Sequence, residues 1–291
     1  MKIIIAPRAG ACRGVRRALD KTRSALQATP GHVLCLQDIV HNRQVMSRLY
    51  RDGLRQISDL SRAKTEDTLI INTHGTGPDI YLRARLQGIK IIDTTCSLVK
   101  NLQFLARRLV NSNYRLIIAG DPHHPETRGI VDWTGGRAVV VSQNENILFP
   151  FPSGAPVALI SQTTFAPDRF ELIARLLKKN YQNIKVHKTI CPSTELRRQE
   201  ALQLAEKMNT FWVIGSPDSA NTLALLQAVK AIQPNARLIQ DTADIEPDYL
   251  NGIASLGITA GASVPDWIIK DVVDRTKCLA QNAGIFALAV R

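Results

Sequence analysis

The sequence predicts an α/β fold made of three small parallel-sheet units, and three observations carry that expectation. Short β-branched runs alternate with helical periodicity from end to end, the pattern of repeated βαβ units. Most of the runs are continuously apolar, as strands covered on both faces must be. A strand–turn–cysteine–helix pattern also recurs three times, in KIIIAPRAGACRGV, IKIIDTTCSLV and IKVHKTICPST.

Strands are expected at residues 2–6, 32–36, 68–72, 90–93, 115–119, 138–141, 157–161, 184–187, 210–214, 236–239 and 253–259. Helical spacing of apolar residues appears at 15–26, 101–110, 169–177, 196–208, 222–231 and 266–280. The repeat divides the chain into a first unit at 1–96, a second at 97–187, a third at 188–268, and a C-terminal helix and tail at 269–291. Ligands of open parallel sheets gather beyond the C-terminal ends of strands. Three such units around a pseudo-threefold axis would therefore bring Cys12, Cys96 and Cys191 together.

Composition excludes several classes. With 45% hydrophobic residues, the 291-residue chain can bury a large core and has no disorder signature. Apolar stretches such as 3–6 and 138–141 are far shorter than a membrane span requires. The start MKIIIAPRAG lacks the long apolar core and cleavage site of a signal peptide, so a cytoplasmic location is expected. A net charge of +12 invites a nucleic-acid reading. Its distribution argues otherwise: the pairs Arg16-Arg17, Arg107-Arg108, Lys178-Lys179 and Arg197-Arg198 are scattered, without aromatic interleaving, as on solvated helix faces. A positive potential could instead steer an anionic metabolite or an acidic electron-carrier protein.

Of the five cysteines, Cys35 lies inside the apolar run VLCLQ and Cys278 on the last helical stretch, so both read as structural. Cys12, Cys96 and Cys191 stand where strands hand over to helices, where backbone N–H groups favour a thiolate. No CxxC is present, which excludes zinc-ribbon and ferredoxin patterns. On spacing alone, buried structural cysteines are favoured over ligands.

The loops after strands carry VHNR, THGTG, GDPHHPET, SQTT, GSPDSANT and TAGASVPD. Such loops offer backbone donors and a positive helix end to a phosphate. His41, His74 and His124, with Ser219, Asn221 and Ser263, add side-chain partners for a polyanion. Glu126 is either a cap near a helix start or a proton donor tuned by its pocket. Asp218 and Asp266 read as N-terminal caps. Neither GxGxxG nor GxxxxGK[ST] occurs.

Taken in order, GACRGV, VHN, HG, DTTCSLV, HPE, QTT, GSPDSANT and TAGASVPD resemble the 4-hydroxy-3-methylbut-2-enyl diphosphate reductase family of the methylerythritol phosphate route to isoprenoids, over almost the whole chain. The resemblance implies a trefoil of three α/β units around a central iron–sulfur site. It implies that Cys12, Cys96 and Cys191 bind a [4Fe-4S] cluster with one open iron for the substrate hydroxyl. His41, His74, His124, Ser219, Asn221 and Ser263 would hold the diphosphate, and Thr163 and Glu126 would relay protons. The implied reaction is reductive dehydroxylation of the allylic diphosphate to isopentenyl and dimethylallyl diphosphate, with electrons from a protein such as ferredoxin or flavodoxin. Ala11, Ser97, Arg128, Arg198 and Ala220 depart from the family pattern, so a divergent member or paralogue is expected. The alternatives are a paralogue acting on another allylic or hydroxylated anion, and a non-catalytic binder of an anion or nucleic acid.

Overall fold

The computed structural model describes residues 1–142, 151–285 and 287–290. In chain order the first elements are β1 (Lys2–Ile5), α1 (Arg13–Ala28), β2 (Val33–Cys35), α2 (Arg43–Arg51), β3 (Leu54–Gln56), β4 (Thr68–Ile71), α3 (Pro78–Leu86) and β5 (Lys90–Asp93). They are followed by α4 (Ser97–Asn111), β6 (Arg115–Ala119), α5 (Pro125–Trp133), β7 (Ala138–Val141), β8 (Val157–Ser161), α6 (Pro167–Asn180) and β9 (Ile184–Val186). The chain closes with α7 (Pro192–Ala205), β10 (Thr210–Ile214), α8 (Ala220–Lys230), β11 (Arg237–Ile239), β12 (Ser255–Ala260), α9 (Asp266–Asn282) and β13 (Leu288–Val290).

These strands form three sheets, ordered β11-β10-β12-β1-β13, β3-β2-β4-β5 and β7-β6-β8-β9. Every pairing among the described strands is parallel. The expected three parallel-sheet α/β subdomains are therefore present. In each sheet the fourth strand in this order, β1, β5 or β9, is the one that leads to a repeated cysteine.

The boundaries fall differently from those expected. β1 pairs with β12, Ile3 opposite Leu256 and Ile5 opposite Ile258, so the Cys12 strand joins the C-terminal sheet rather than a unit at 1–96. Sequence adjacency does not decide pairing here, because the continuous apolar run KIII needs neighbours on both edges and finds them in β12 and β13. The end of the chain likewise adds the strand β13 after the helix α9. By packing, one unit comprises Met1–Arg16, Val40–Ser47 and Pro192–Arg291, and the other Arg17–Ile39 and Arg48–Cys191.

Strand alternation builds the core. In the sheet of β6–β9, Ile117 and Leu159 face Phe170, Ile173 and Leu177 of α6. Leu116, Ile118 and Ile160 face the other way, onto Leu102 and Ala106 of α4 and Ile130 of α5. Phe211 and Val213 of β10 pack against Ala201 of α7 and Leu225 of α8. Of the basic pairs, Arg197 is not solvated: it is buried, and its guanidinium donates to the carbonyls of Arg8 and Gly10 at 3.0 and 2.9 Å. No described helix is long and apolar enough to cross a membrane.

Candidate active site

Each of the three cysteines immediately precedes a helix: Cys12 before α1, Cys96 before α4 and Cys191 before α7. Each amide is tied to the loop after the neighbouring strand. Cys12 donates to Ala262 O at 3.2 Å, Cys96 to Thr73 O at 3.0 Å and Cys191 to Thr163 O at 2.7 Å. The Cys12 and Cys96 carbonyls then accept from Arg16 and Lys100, closing the first helical turns. One local geometry thus serves three sites, each with a half-buried sulfur at a positive helix end. Spacing alone favours buried structural cysteines, and the structure corrects that expectation for these three. It upholds it for Cys35, which is fully buried, its thiol pushed up to about 12 by desolvation and then by Asp38. Cys278 is exposed on α9 and so takes no part in the core.

The loop after β6 turns into α5 through His124, whose Nδ1 accepts from the Glu126 amide at 3.1 Å. His124 is the N-cap of α5, and this bond leaves the Nε2 end of a neutral ring as the donor. Its ring meets that of His74 edge-on, with centroids 5.0 Å apart. His74 is set by an Asn72 side chain that accepts its amide at 3.1 Å and donates to Asp38 O at 3.2 Å.

Glu126 lies in the first turn of α5 and is 2% exposed. Its Oε1 accepts from the Thr163 amide at 2.6 Å, and its Oε2 from the Thr163 hydroxyl at 2.8 Å. Burial raises the carboxyl from 4.5 to about 7 against these two bonds, which lower it. The group therefore exchanges a proton near neutral pH. Sequence reasoning singled out both residues but missed Gln162 beside them. Buried Gln162 accepts from the Asp121 amide at 3.1 Å and from Thr127 Oγ1 at 3.4 Å, and donates to Thr164 at 3.1 Å. Its only signal was its place as the first residue of QTT.

In the other unit, Ser219 is the N-cap of α8, accepting from the Thr222 amide at 3.4 Å. Asp218, expected as a cap, instead accepts from Ser216 and pairs with Arg43 at 3.0 Å. Asp266 opens α9 without capping it and pairs with Arg16 at 3.3 Å. Ser263 donates to His41 O at 3.0 Å, tying the loop after β12 to the histidine segment. Asn221 stands half-buried in the first turn of α8. Of the departing residues, Ala11 is buried, Ser97 and Arg128 are exposed and Arg198 is half-buried.

Fold and site together define a class: an α/β protein of three parallel sheets, with a thiol at the helix start beyond the fourth strand of each and a buried carboxyl tuned near neutrality. The family described as LytB protein matches residues 3–277. The chain is 33% identical over 272 residues to the 4-hydroxy-3-methylbut-2-enyl diphosphate reductase of Anaeromyxobacter sp. strain Fw109-5, covering 94% of this chain and 95% of that protein. It is 34% identical over 284 residues to that of Geotalea daltonii, covering 97% and 99%. A solved structure of (E)-4-hydroxy-3-methyl-but-2-enyl diphosphate reductase, the terminal enzyme of the non-mevalonate pathway, aligns with a TM-score of 0.74 at 32% identity, over 95% of this chain and 99% of that one. The Plasmodium falciparum reductase shares the fold, at a TM-score of 0.87 and 24% identity over 99% and 91% of the two chains. The chain belongs to the LytB family.

Proposed function

We propose that the protein reduces 4-hydroxy-3-methylbut-2-enyl diphosphate to isopentenyl and dimethylallyl diphosphate, consuming two electrons and two protons and releasing water. The observation that carries this reading is the buried Glu126 carboxyl, near pH 7 in its titration and bonded through both oxygens to Thr163. A protein that only bound an anion would gain nothing from a carboxyl held ready to give up a proton.

The cysteine set fits an iron–sulfur cluster: Cys12, Cys96 and Cys191 are thiols, half-buried, each with its amide fixed and a helix start behind it. Those three residues would hold the cluster, taken to be of the [4Fe-4S] type. When bound, it supplies the electrons, delivered by a donor such as ferredoxin or flavodoxin. The rest is the work of the polypeptide. His74 and His124 present ring N–H groups to the diphosphate, joined by His41, Ser219, Asn221 and Ser263. Thr163 Oγ1 and Glu126 Oε2 lie 2.8 Å apart; once Oε2 carries a proton the direction of their bond reverses, and Oε2 gives that proton to Oγ1 in the same step in which the Thr163 hydroxyl gives its own to the substrate. Burial around this pair keeps water from competing for that proton. Thiols that must stay reduced suit a cytoplasmic setting.

Anaerobic reconstitution with iron and sulfide, followed by assay with the allylic diphosphate and a reduced viologen, tests the reading. Turnover with iron bound supports it. Cys96→Ser should remove most of the bound iron while Cys35→Ser retains it. Equal loss in both, or a wild-type protein that holds no iron, would overturn the assignment.

A further inference from the structure

Gln103 lies midway along α4, the helix that begins at Cys96, and is only 1% exposed. Its Nε2 has no hydrogen-bond partner among the described residues. Two glycines crowd that amide. A methyl group on Gly75, in the His74 loop, would lie 2.6 Å from Nε2 and 3.0 Å from Thr95 Cγ2. One on Gly129, a turn beyond Glu126 on α5, would lie 3.2 Å from Nε2. Gly75 also holds φ at +74°, a conformation that favours glycine, so the loop is shaped to pass close to the amide. The loop and helix meet again where Trp133 Nε1 donates to Thr76 O at 2.9 Å. The Thr76 backbone also reaches Gly129 directly, 3.7 Å from a methyl placed there, and the end of Gln103 lies against both Gly75 and Gly129.

We propose that Gln103 is a positioning residue: as a spacer between Gly75 and Gly129, it sets the separation of His74 and His124 and hence their grip on a diphosphate. Its Nε2 donates to no described protein group, so what that end of the side chain supplies here is length. Shortening it lets the His74 loop move toward α5, changing the 5.0 Å ring contact while Glu126, on α5, keeps its bonds to Thr163. The inference rests on the diphosphate reading given above.

The test uses the full-length chain, with and without its metal, and Gln103→Ala beside the equally long Gln103→Met. Three readouts are taken: binding of inorganic pyrophosphate by calorimetry, ring signals of His74 and His124 by nitrogen-15 NMR, and steady-state kinetics. For Gln103→Ala, pyrophosphate binding weakens and KM rises by about tenfold, kcat stays within about twofold, and both ring signals shift. Gln103→Met restores affinity to within about twofold of wild type. Wild-type affinity and ring signals in Gln103→Ala would overturn the proposal. So would a Met variant as impaired as the Ala variant, or a loss of kcat in step with a loss of melting temperature. If the wild-type chain neither binds pyrophosphate nor turns over the allylic diphosphate, the functional reading fails, and the ring signals, which need no ligand, still decide the spacer.

Discussion

The sheet of β6–β9 and the sheet built on β10 and β12 share the order of their first three strands, β7-β6-β8 and β11-β10-β12, and carry different residues directly after the third. After β8 it is Gln162, and its carboxamide binds the loop after β6 through the Asp121 amide and holds the Thr127 hydroxyl. After β12 it is Gly261, and the equivalent helix residue, Thr222, is fully buried with an Oγ1 that has no partner among the described residues. The first sheet closes a polar network beside the bonded pair Thr163 and Glu126, which suits the proton relay proposed for that pair. The second leaves its loops to be held by a cap, Ser219, and by a bond from Ser263 to backbone, which suits seating an anion.

Glu126→Gln removes the acid while keeping its shape, so kcat falls by about 10²-fold or more with little change in substrate affinity, as steady-state kinetics would register. The same residue makes stability depend on pH. Its carboxyl titrates at about 7 when folded and near 4.5 when unfolded, so between these values the folded chain holds more protons. Its contribution is therefore complete below about 4.5 and lost as pH rises through 7. Urea unfolding at pH 5 and pH 8 should show wild type losing more stability on going to pH 8 than Glu126→Gln does. A parallel loss in the two proteins would mean that the carboxyl is not held neutral by burial.

Gly261→Ala places a methyl group 2.5 Å from Thr222 Oγ1, so the buried threonine must shift, and overpacking of this kind costs about 1–3 kcal/mol. Replacing Gln162 by Leu leaves the buried Thr127 hydroxyl unpaired and should cost about 1–2 kcal/mol. Both are readable as shifts in the urea midpoint. Both variants should lower the midpoint; a tolerant Gly261 would refute tight packing there.

The fold was largely legible because buried parallel strands advertise themselves. Runs such as VALIS of β8 and TFWVI of β10 are apolar on both faces and are found where expected. Helices α3 and α5 were not legible: each has nine residues and a proline in its first turn, too short to repeat an apolar stripe. The edge strands β3 and β13 have three residues each, with exposed positions that blur their pattern. At the site, Glu126 and Thr163 carried a motif, and the structure adds their bond. Gln103 carried none, and Thr222 closes the motif GSPDSANT without a signal of its own, since both are set by glycines that only packing reveals, Gly75 and Gly129 for Gln103 and Gly215 and Gly261 for Thr222. The pairing of β1 with β12 was hidden for a related reason, because a continuous apolar run says that a strand is covered without naming its neighbour.

The smallest effect is the sharpest probe of the difference between the sheets. Thr127 and Thr222 are both fully buried on the helix that follows the second strand of their sheets, and each has its hydroxyl against a glycine of the preceding loop, Gly120 or Gly215. Replacing threonine by valine keeps the shape and removes the hydroxyl. At Thr127 this leaves the Gln162 carbonyl with one donor fewer, so Thr127→Val should destabilise by about 1 kcal/mol. At Thr222 the hydroxyl was desolvated on folding without a protein partner, so its loss removes a cost, and Thr222→Val should be neutral or stabilising by up to about 1 kcal/mol. The Ser219 cap binds the Thr222 amide rather than its side chain and survives the change. Denaturation midpoints of the two variants therefore move apart, and midpoints that fall together would show that Thr222, like Thr127, has a partner in the folded protein.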